Sequence, residues 1–188
     1  RLVPFVAQRP GMRLEPLAFG RQVGPGARAV EEPRAHRLLQ RRHPGRDGGL
    51  GDPQPFRRAV EEGIIDPKRT IQIGLRGTRF GDDDIQYGHD VGMRIVTMDD
   101  FEEMGRKKVI EEARRVCGDG PTYITFDIDG LDPVYCIGTG VPEPGGLSMR
   151  DAQVIIRGLQ GLDIVGGDVC EVLPLADPSG HTALNAAN

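Results

Sequence analysis

Segments with strand character alternate with segments of helix character from about residue 55 to residue 188. The strand-like segments are short runs rich in valine and isoleucine, whereas the helix-like segments place apolar residues three or four positions apart. Parallel strands need a long crossover between them, and a helix is the usual crossover. The pattern therefore predicts an α/β fold, with a mainly parallel sheet between two helical layers in a three-layer α/β/α arrangement.

The expected elements follow one another regularly in this part of the chain. They are a helix at 55–63, a strand at 70–77, an acidic helix-like stretch at 81–92, a strand at 92–101, a helix at 102–118, a strand at 123–129, a helix at 148–162 capped by Ser148, a strand at 163–174 and the start of a helix at 178–188. Sites on such sheets form at the carboxyl ends of the strands. Asp127, Asp129 and Glu171 all fall at such ends.

The first 54 residues have a different composition, rich in arginine, glycine and proline and without lysine. We find no strand of credible length among them. Two interpretations are open. One is a flexible N-terminal region, because this composition buries too little apolar area to offset its ordering entropy. The other is a GC-rich gene read partly out of frame. We therefore predict an irregular region at 1–54 and an α/β domain at 55–188 that is incomplete in this chain.

Charge and cysteine content narrow the class of function. The 188 residues carry a formal net charge of −4 with both signs interspersed, so no nucleic-acid or anionic-membrane partner is expected. The three cysteines have spacings unlike a zinc or redox motif, and no leader or membrane-spanning run is evident. We expect a reduced, cytoplasmic protein.

The segment "YITFDIDGLDP" ends a predicted strand with two aspartates two positions apart. Side chains at this spacing point to the same side of a strand, so Asp127 and Asp129 are expected to be neighbours. Two close carboxylates repel each other, and a divalent cation between them would remove that repulsion. The alternative is that the strand merely ends there and both groups lie in water.

Three motifs together resemble the ureohydrolase family of arginases and agmatinases. They are "FDIDGLDP" (126–133), "GTGVPEPGGL" (138–147) and "GGDVCEVLPLADPSGHTALNAAN" (166–188), preceded by "PFRRAVEEGIIDPKRTIQIGLRG". The match is most similar to the agmatinase and guanidinobutyrase branch and covers about residues 55 to 188. A weaker similarity, "RPGMRLEP" at 9–16, resembles an early segment of the same family.

The resemblance implies an activity and roles for three residues. The family hydrolyses a guanidino group to urea and an amine with two bridged manganese ions, and the substrate is a small guanidino compound. Asp127 and Asp129 would be Mn²⁺ ligands, since hard oxygens suit that metal. Glu171 would receive the guanidinium through a charge-assisted, bidentate hydrogen bond. Relatives commonly form homo-oligomers, as trimers or hexamers.

The chain also departs from the family pattern. The "GGDH" and "D-A-H-x-D" segments that hold the other metal ligands are absent, and "DPQPF", with Asp52 and Gln54, replaces "HGTPF". Val141 stands where many relatives have a threonine whose hydroxyl reaches the substrate. We do not expect a replacement site from His36, His43, Asp47 and Asp52, because their stretch contains no rigid element to fix ligand geometry.

Other polar residues near the motifs are expected to have structural roles. Asp132 and Asp177 each precede a proline and should fix turns. Cys136 and Cys170 should pack rather than react, since no partner base is evident. Two histidines remain: His89 is expected to be exposed, and His181 is a minor candidate for contact with the site.

Three functions remain open at the level of sequence. The first, which we favour, is a manganese-dependent amidinohydrolase for agmatine or a guanidino acid, inactive as this chain alone. The second is a catalytically dead ureohydrolase-like subunit with a structural or regulatory role. The third is a non-enzymatic module whose arginine-rich N-terminus binds an anionic partner, which the acidic net charge disfavours.

Overall fold

The computed structural model describes residues 2–5, 54–77 and 85–188, the first of these as backbone only. In these ranges the strands are β1 (Leu2–Phe5), β2 (Ile71–Leu75), β3 (Arg94–Thr97), β4 (Thr122–Asp127) and β5 (Ile164–Cys170). The helices are α1 (Gln54–Glu61), α2 (Gln86–Val91), α3 (Met98–Cys117), α4 (Met149–Gly158) and α5 (His181–Ala186), and short 3₁₀ turns lie at Pro67–Arg69, Ile128–Gly130 and Pro174–Ala176.

The strands of the described residues form one sheet in the order β3-β2-β1-β4-β5. β2 pairs with β3 and β4 pairs with β5 in parallel, whereas β1 runs antiparallel to both of its neighbours. Four strands therefore point the same way and one opposes them. The predicted mainly parallel sheet is confirmed, with β1 as its exception.

The expectation that no strand precedes residue 55 is wrong for β1. This strand pairs with β4 from Leu2 opposite Phe126 to Phe5 opposite Tyr123, and it contacts β2 through Leu2 and Ile73. Proline is rare in a central strand because it cannot donate to the ladder, and β1 contains Pro4. Pairing on both sides is a tertiary effect that local composition does not reveal. The rest of the predicted irregular region, 6–53, lies outside the described residues.

Helices cover both faces of the sheet. On one face, buried side chains of β2 and β4 pack against α3 and α4, with Ile73, Phe126, Val109 and Ile155 in the same cluster. On the other face, Tyr123 packs with Ala59 and the partly buried side chains of α1. Alternation along β4 sends Tyr123 and Phe126 to opposite sides. This arrangement confirms the three-layer α/β/α prediction.

Helix α3 differs from its prediction in two respects. The predicted helix at 102–118 begins earlier, because the side chain of Thr97 accepts a hydrogen bond from the backbone N–H of Asp100 and the Asp100 side chain accepts one from the N–H of Thr97. The same helix is interrupted at Gly105, whose φ of 73° is not helical. None of the described helices is both long enough and apolar enough to cross a bilayer.

Candidate active site

Asp127 and Asp129 are neighbours, but not because they share a strand. β4 ends at Asp127, and Ile128–Gly130 form a 3₁₀ turn. The backbone N–H of Asp129 donates to the Asp127 carboxylate at 3.1 Å. The predicted proximity is thus present, whereas the predicted strand through residue 129 is wrong, since the Asp127 side chain caps the turn that ends it.

The surroundings of Asp127 make its carboxylate costly to ionise. Burial, together with the nearby Asp129 carboxylate, raises the pKa of Asp127 to about 6. Two acidic groups in one partly buried place therefore hold a proton more readily than either group would in water. A cation between them would act in the opposite direction and favour both charged forms.

Glu171 lies beside this pair at the end of the neighbouring strand. Asp127 pairs in register with Cys170, and Glu171 follows Cys170 directly. The strand ends at Cys170, and Glu171 has a left-handed φ of 62°, so the chain turns sharply there. The two strand ends are parallel, so the sheet brings Asp127 and Glu171 to the same edge.

The "GTGVPEPGGL" segment borders Glu171. A Cβ built on Gly140 would lie 3.8 Å from Oε2 of Glu171, so the loop backbone approaches the carboxylate closely. Val141 is 58% exposed and offers no hydroxyl. The hydroxyl of Thr139 is buried and has no hydrogen-bond partner among the described residues.

The two aspartates before prolines have the structural roles predicted for them. Asp132 accepts hydrogen bonds from the backbone N–H groups of Val134 and Gly145, at 3.1 and 2.8 Å. Asp177 accepts from those of Thr182 and Ala183, at 3.2 and 2.9 Å. These N–H donors stabilise the charged carboxylates and lower the pKa of both residues.

Neither cysteine near the site is suited to be a nucleophile. Burial, with a contribution from Asp129, raises the pKa of Cys136 to about 11. Burial, with a contribution from Asp127, raises the pKa of Cys170 to about 12. Both thiols are therefore protonated at neutral pH and unreactive. His89 is exposed, as predicted, and His181 is exposed at the first position of α5.

The sequence did not identify Arg76, whose guanidinium connects the segments around the site by hydrogen bonds. Its Nη2 donates to the backbone carbonyls of Asp129 and Leu131, at 2.8 and 3.0 Å, and its Nε donates to that of Glu143 at 3.1 Å. The signal available in the sequence was an arginine immediately after a buried strand and before a glycine. That pattern is too common to indicate a partner 50 or more residues away.

Asp168 on β5 was also missed. Its carboxylate accepts hydrogen bonds from the hydroxyls of Tyr123 and Thr125 on β4, at 2.9 and 2.7 Å. Gly166 makes room for the Tyr123 ring, since a Cβ there would lie 2.9 Å from it. This pairing joins the two strands whose ends hold Asp127 and Glu171.

The two aspartates fit part of a metal site. Hard carboxylate oxygens suit a divalent cation such as Mn²⁺, and a cation beside Asp127 would oppose the effects of burial and of the Asp129 carboxylate, which raise the pKa of Asp127. Within 54–77 and 85–188, however, no group of three or more His, Cys, Asp or Glu side chains is placed to hold a metal ion. The two carboxylates would need ligands from elsewhere. His36, His43, Asp47 and Asp52 lie outside the described residues.

Comparison of this chain with known proteins points to one family. The family model described as the arginase family matches residues 41–188. The chain is 52% identical over 133 residues to guanidinopropionase of Pseudomonas aeruginosa, covering 71% of this chain and 42% of that protein. It is 48% identical over 134 residues to the mitochondrial guanidino acid hydrolase of Homo sapiens, covering 71% and 38%.

Solved structures agree with the sequence comparison. Proclavaminate amidinohydrolase from Streptomyces clavuligerus superposes with a TM-score of 0.67 at 41% identity, covering 70% of this chain and 44% of that one. The arginase from Bacillus caldovelox gives a TM-score of 0.60 at 27% identity, covering 66% and 42%. The chain thus spans about four tenths of the length of these relatives. Shared sequence and shared fold lead to one conclusion: the chain belongs to the arginase family.

Proposed function

We propose that this chain carries the guanidinium-binding part, and part of the metal-binding part, of an amidinohydrolase. The enzyme would hydrolyse a small guanidino compound, agmatine or a guanidino acid, to urea and an amine. The observation that carries the proposal is that Asp127, Asp129 and Glu171 lie at one edge of the sheet, at or just after the ends of two adjacent parallel strands. Relatives named guanidinopropionase and agmatinase support the reaction class.

Each residue has a chemical role in this proposal. Asp127 and Asp129 would hold Mn²⁺ with their carboxylate oxygens, and the chemistry that the bound metal would supply is activation of water at neutral pH. Glu171, exposed beside Gly140, would accept two N–H bonds from the guanidinium and orient its carbon toward the aspartates. Hydrolysis would add one water, break the bond from that carbon to the substituted nitrogen, and release urea and a protonated amine.

The finer features of this function are also proposals. A binuclear manganese centre and assembly into trimers or hexamers are supported by membership of the arginase family. A cytoplasmic location stays a prediction from the sequence. The described residues do not select one substrate within this class, because Val141, which borders the site, contributes only an apolar side chain.

The proposal is tested by metal binding to the whole 188-residue chain. Titration with MnCl₂ in a calorimeter should show weak binding that is lost in Asp127→Asn and in Asp129→Asn. Asp163→Asn, which changes an exposed aspartate before the opposite end of β5, is the control and should bind as the unchanged chain does. Equal binding by all four proteins would show that the aspartate pair is not a metal site.

One observation favours a second candidate, a catalytically dead subunit of an arginase-family assembly. The described residues place only two carboxylates where a metal needs more ligands, and Val141 lacks a hydroxyl. Such a subunit would assemble tightly with an active relative and show no turnover by itself. Size-exclusion chromatography of the chain mixed with that relative separates the two candidates, because an independent enzyme would elute alone.

A further inference from the structure

The loop beside Glu171 is fixed by a hydrogen bond that it donates to the last helix. The N–H of Gly138 donates to Oγ1 of Thr182 at 2.9 Å, and the carbonyl of Gly138 accepts from the N–H of Leu173 at 2.8 Å. Thr182 has no exposed surface, and Gly138 is buried. Both backbone polar groups of Gly138 are therefore satisfied inside the protein, one of them by a side chain.

Thr182 itself is held in place by Asp177. The carboxylate of Asp177 accepts from the N–H groups of Thr182 and Ala183, at 3.2 and 2.9 Å. A Cβ on Gly138 would lie 2.4 Å from Cβ of Asp177 and 2.9 Å from Oγ1 of Thr182. The contact therefore requires glycine at 138, and its fit leaves little room for the loop to shift.

The fixed loop adjoins the proposed guanidinium site from two directions. Gly140, two residues after Gly138, faces the Glu171 carboxylate, since a Cβ added to it would lie 3.8 Å from Oε2 of Glu171. Leu173, two residues after Glu171, makes the other hydrogen bond to Gly138. A shift of Gly138 would consequently move the loop wall relative to the carboxylate at both points.

We propose that Thr182 is a positioning residue for guanidinium binding, acting through Gly138 to set the distance between the 138–140 loop and Glu171. This inference rests on the proposed role of Glu171 as the guanidinium-binding group. Thr182 does not contact the substrate in this scheme. Its Oγ1 acts on the backbone of the loop, and the loop limits where a planar cation can lie against the carboxylate.

The test compares three proteins that differ only at residue 182, two of which keep its buried hydroxyl oxygen. The full chain, Thr182→Val and Thr182→Ser are titrated with methylguanidinium, followed by amide chemical shifts. Thr182→Val keeps the shape but leaves the Gly138 N–H without its acceptor, so we expect roughly five- to tenfold weaker binding, the equivalent of one hydrogen bond. Thr182→Ser keeps the oxygen and should restore the affinity to within about twofold.

Parallel measurements separate this inference from a purely structural role. If Thr182→Val lowers the melting temperature but binds methylguanidinium as tightly as the unchanged chain when folded, the inference is wrong. If Glu171→Gln also leaves binding unchanged, the proposed role of Glu171 fails as well. Loss of binding in Glu171→Gln with normal binding in Thr182→Val overturns only the positioning role.

A measurement on the unchanged chain covers the case in which Thr182→Val does not fold. The Gly138 amide should exchange with deuterium slowly, and more slowly still in saturating methylguanidinium, because the ligand would stabilise the arrangement of the loop that binds it. Fast exchange that the ligand does not alter would contradict a fixed loop and the inference with it.

Discussion

At the scale of single residues, Glu171 has a backbone conformation that suits glycine better than glutamate. Among the described residues it alone, outside glycine, has a positive φ, at 62°. A residue with a Cβ at a positive φ lowers the stability of a protein by about 1 kcal/mol. The backbone is therefore strained at residue 171, within the proposed site. The Glu171 carboxylate lies at this strained turn, directly after β5.

Replacement by glycine should relieve that strain. We expect Glu171→Gly to be more stable than Glu171→Ala by about 1 kcal/mol in urea denaturation, because both lose the carboxylate and only alanine keeps a Cβ. Glu111, within α3, is the control position. There Glu111→Ala should be more stable than Glu111→Gly, since glycine destabilises a helix by about 1 kcal/mol relative to alanine. Equal stability of the two Glu171 variants would mean that the backbone there is unstrained.

Thr139 gives a second prediction at this scale. Its hydroxyl is buried without a partner among the described residues, and an unsatisfied buried hydroxyl costs about 1–3 kcal/mol. Thr139→Val removes that polar group at nearly the same size, so the free energy of unfolding should be unchanged or rise by about 1 kcal/mol.

The matched comparison for Thr139 is Thr182, where the hydroxyl oxygen does accept a hydrogen bond. Thr182→Val should lower the free energy of unfolding by about 1–3 kcal/mol, because it leaves the buried Gly138 N–H unsatisfied. Chemical denaturation of both variants checks the pair. A loss of similar size at both positions would show that Thr139 has a partner.

The sequence predicted the aspartate pair but not the residues that support the segments around the site. Asp127 and Asp129 are close, as their spacing predicts, although a 3₁₀ turn rather than the strand brings them together. Thr182 and Arg76 act through partners 44 and 53 residues away in sequence, Gly138 and Asp129. Such contacts depend on tertiary packing, and no local pattern reports them.

At the scale of elements, Arg76 joins the end of β2 to two loops. Its guanidinium spans carbonyls of the turn after β4 and of the segment near Glu143. A Cβ on Gly146 would lie 2.7 Å from Nη2 of Arg76, so the loop closes directly over this group. The planar fork makes several hydrogen bonds that a lysine ammonium cannot make together.

Arg76→Lys should therefore destabilise the chain by about 2–3 kcal/mol and weaken its binding of Mn²⁺, since the turn that holds Asp129 loses its support. Arg114→Lys is the control, because Arg114 also donates to two carbonyls, those of Gly158 and Gln160, but at an exposed position. Its effect on stability should stay below about 0.5 kcal/mol. Thermal unfolding and metal titration of both variants are the measurements, and equal effects would contradict a special role for Arg76.

Glu112 links α3 to β3 and makes stability depend on pH. Its carboxylate accepts from Nε of Arg115 at 2.7 Å and from Nε of Arg94 at 3.0 Å. The hydrogen bond from Arg115, with that from Arg94, lowers the pKa of Glu112 to about 2. Because the folded pKa lies below the unfolded value, the stabilisation is complete above about pH 4.5 and is lost as the pH falls toward 2.

Glu112→Gln should therefore be less stable than the unchanged chain by about 1–3 kcal/mol above pH 5, after allowance for solvent screening, and the difference should vanish near pH 2. Urea denaturation at a series of pH values from 7 to 2.5 measures it. Glu111→Gln, exposed on the same helix, is the control for loss of one acidic side chain. A difference that does not change with pH would show that these ion pairs do not lower the pKa.

The order of the elements followed from the sequence more reliably than their ends. Periodicity, turn residues and caps predicted β2 through α4 and the start of α5, and the helix that begins after Ser148 has the expected cap, with Ser148 Oγ accepting from the Asp151 N–H at 3.0 Å. β1 was not predicted, because four residues that contain Pro4 have little strand character by themselves. Its position depends on pairing with strands more than 60 residues away.

At the scale of the whole molecule, the sheet of the described residues has helices on both faces and an apolar groove beside β5, the strand at one of its edges. β5 is an edge strand, and its Val169 is 47% exposed. Beside it an apolar groove is lined by Phe126, Met149, Ile156 and Ala186. The relatives are more than twice as long as the region that they share with this chain.

This size difference leads to a prediction about activity. The 188-residue chain alone, incubated with stoichiometric Mn²⁺ and either agmatine or guanidinobutyrate, should release no urea above background. The reason is that the described residues offer two carboxylate ligands, whereas activation of water needs a metal held in fixed geometry by several ligands and their supporting groups.

A colorimetric urea assay makes the measurement, and guanidinopropionase of Pseudomonas aeruginosa with guanidinopropionate is the positive control. Binding of methylguanidinium in the same samples shows whether Glu171 is accessible even when no urea forms. Binding without turnover is the expected result, because Glu171 is among the described residues, whereas these residues offer only two carboxylates to a metal ion. Turnover that requires stoichiometric Mn²⁺ would contradict the prediction and would mean that residues outside 54–77 and 85–188 complete the metal site.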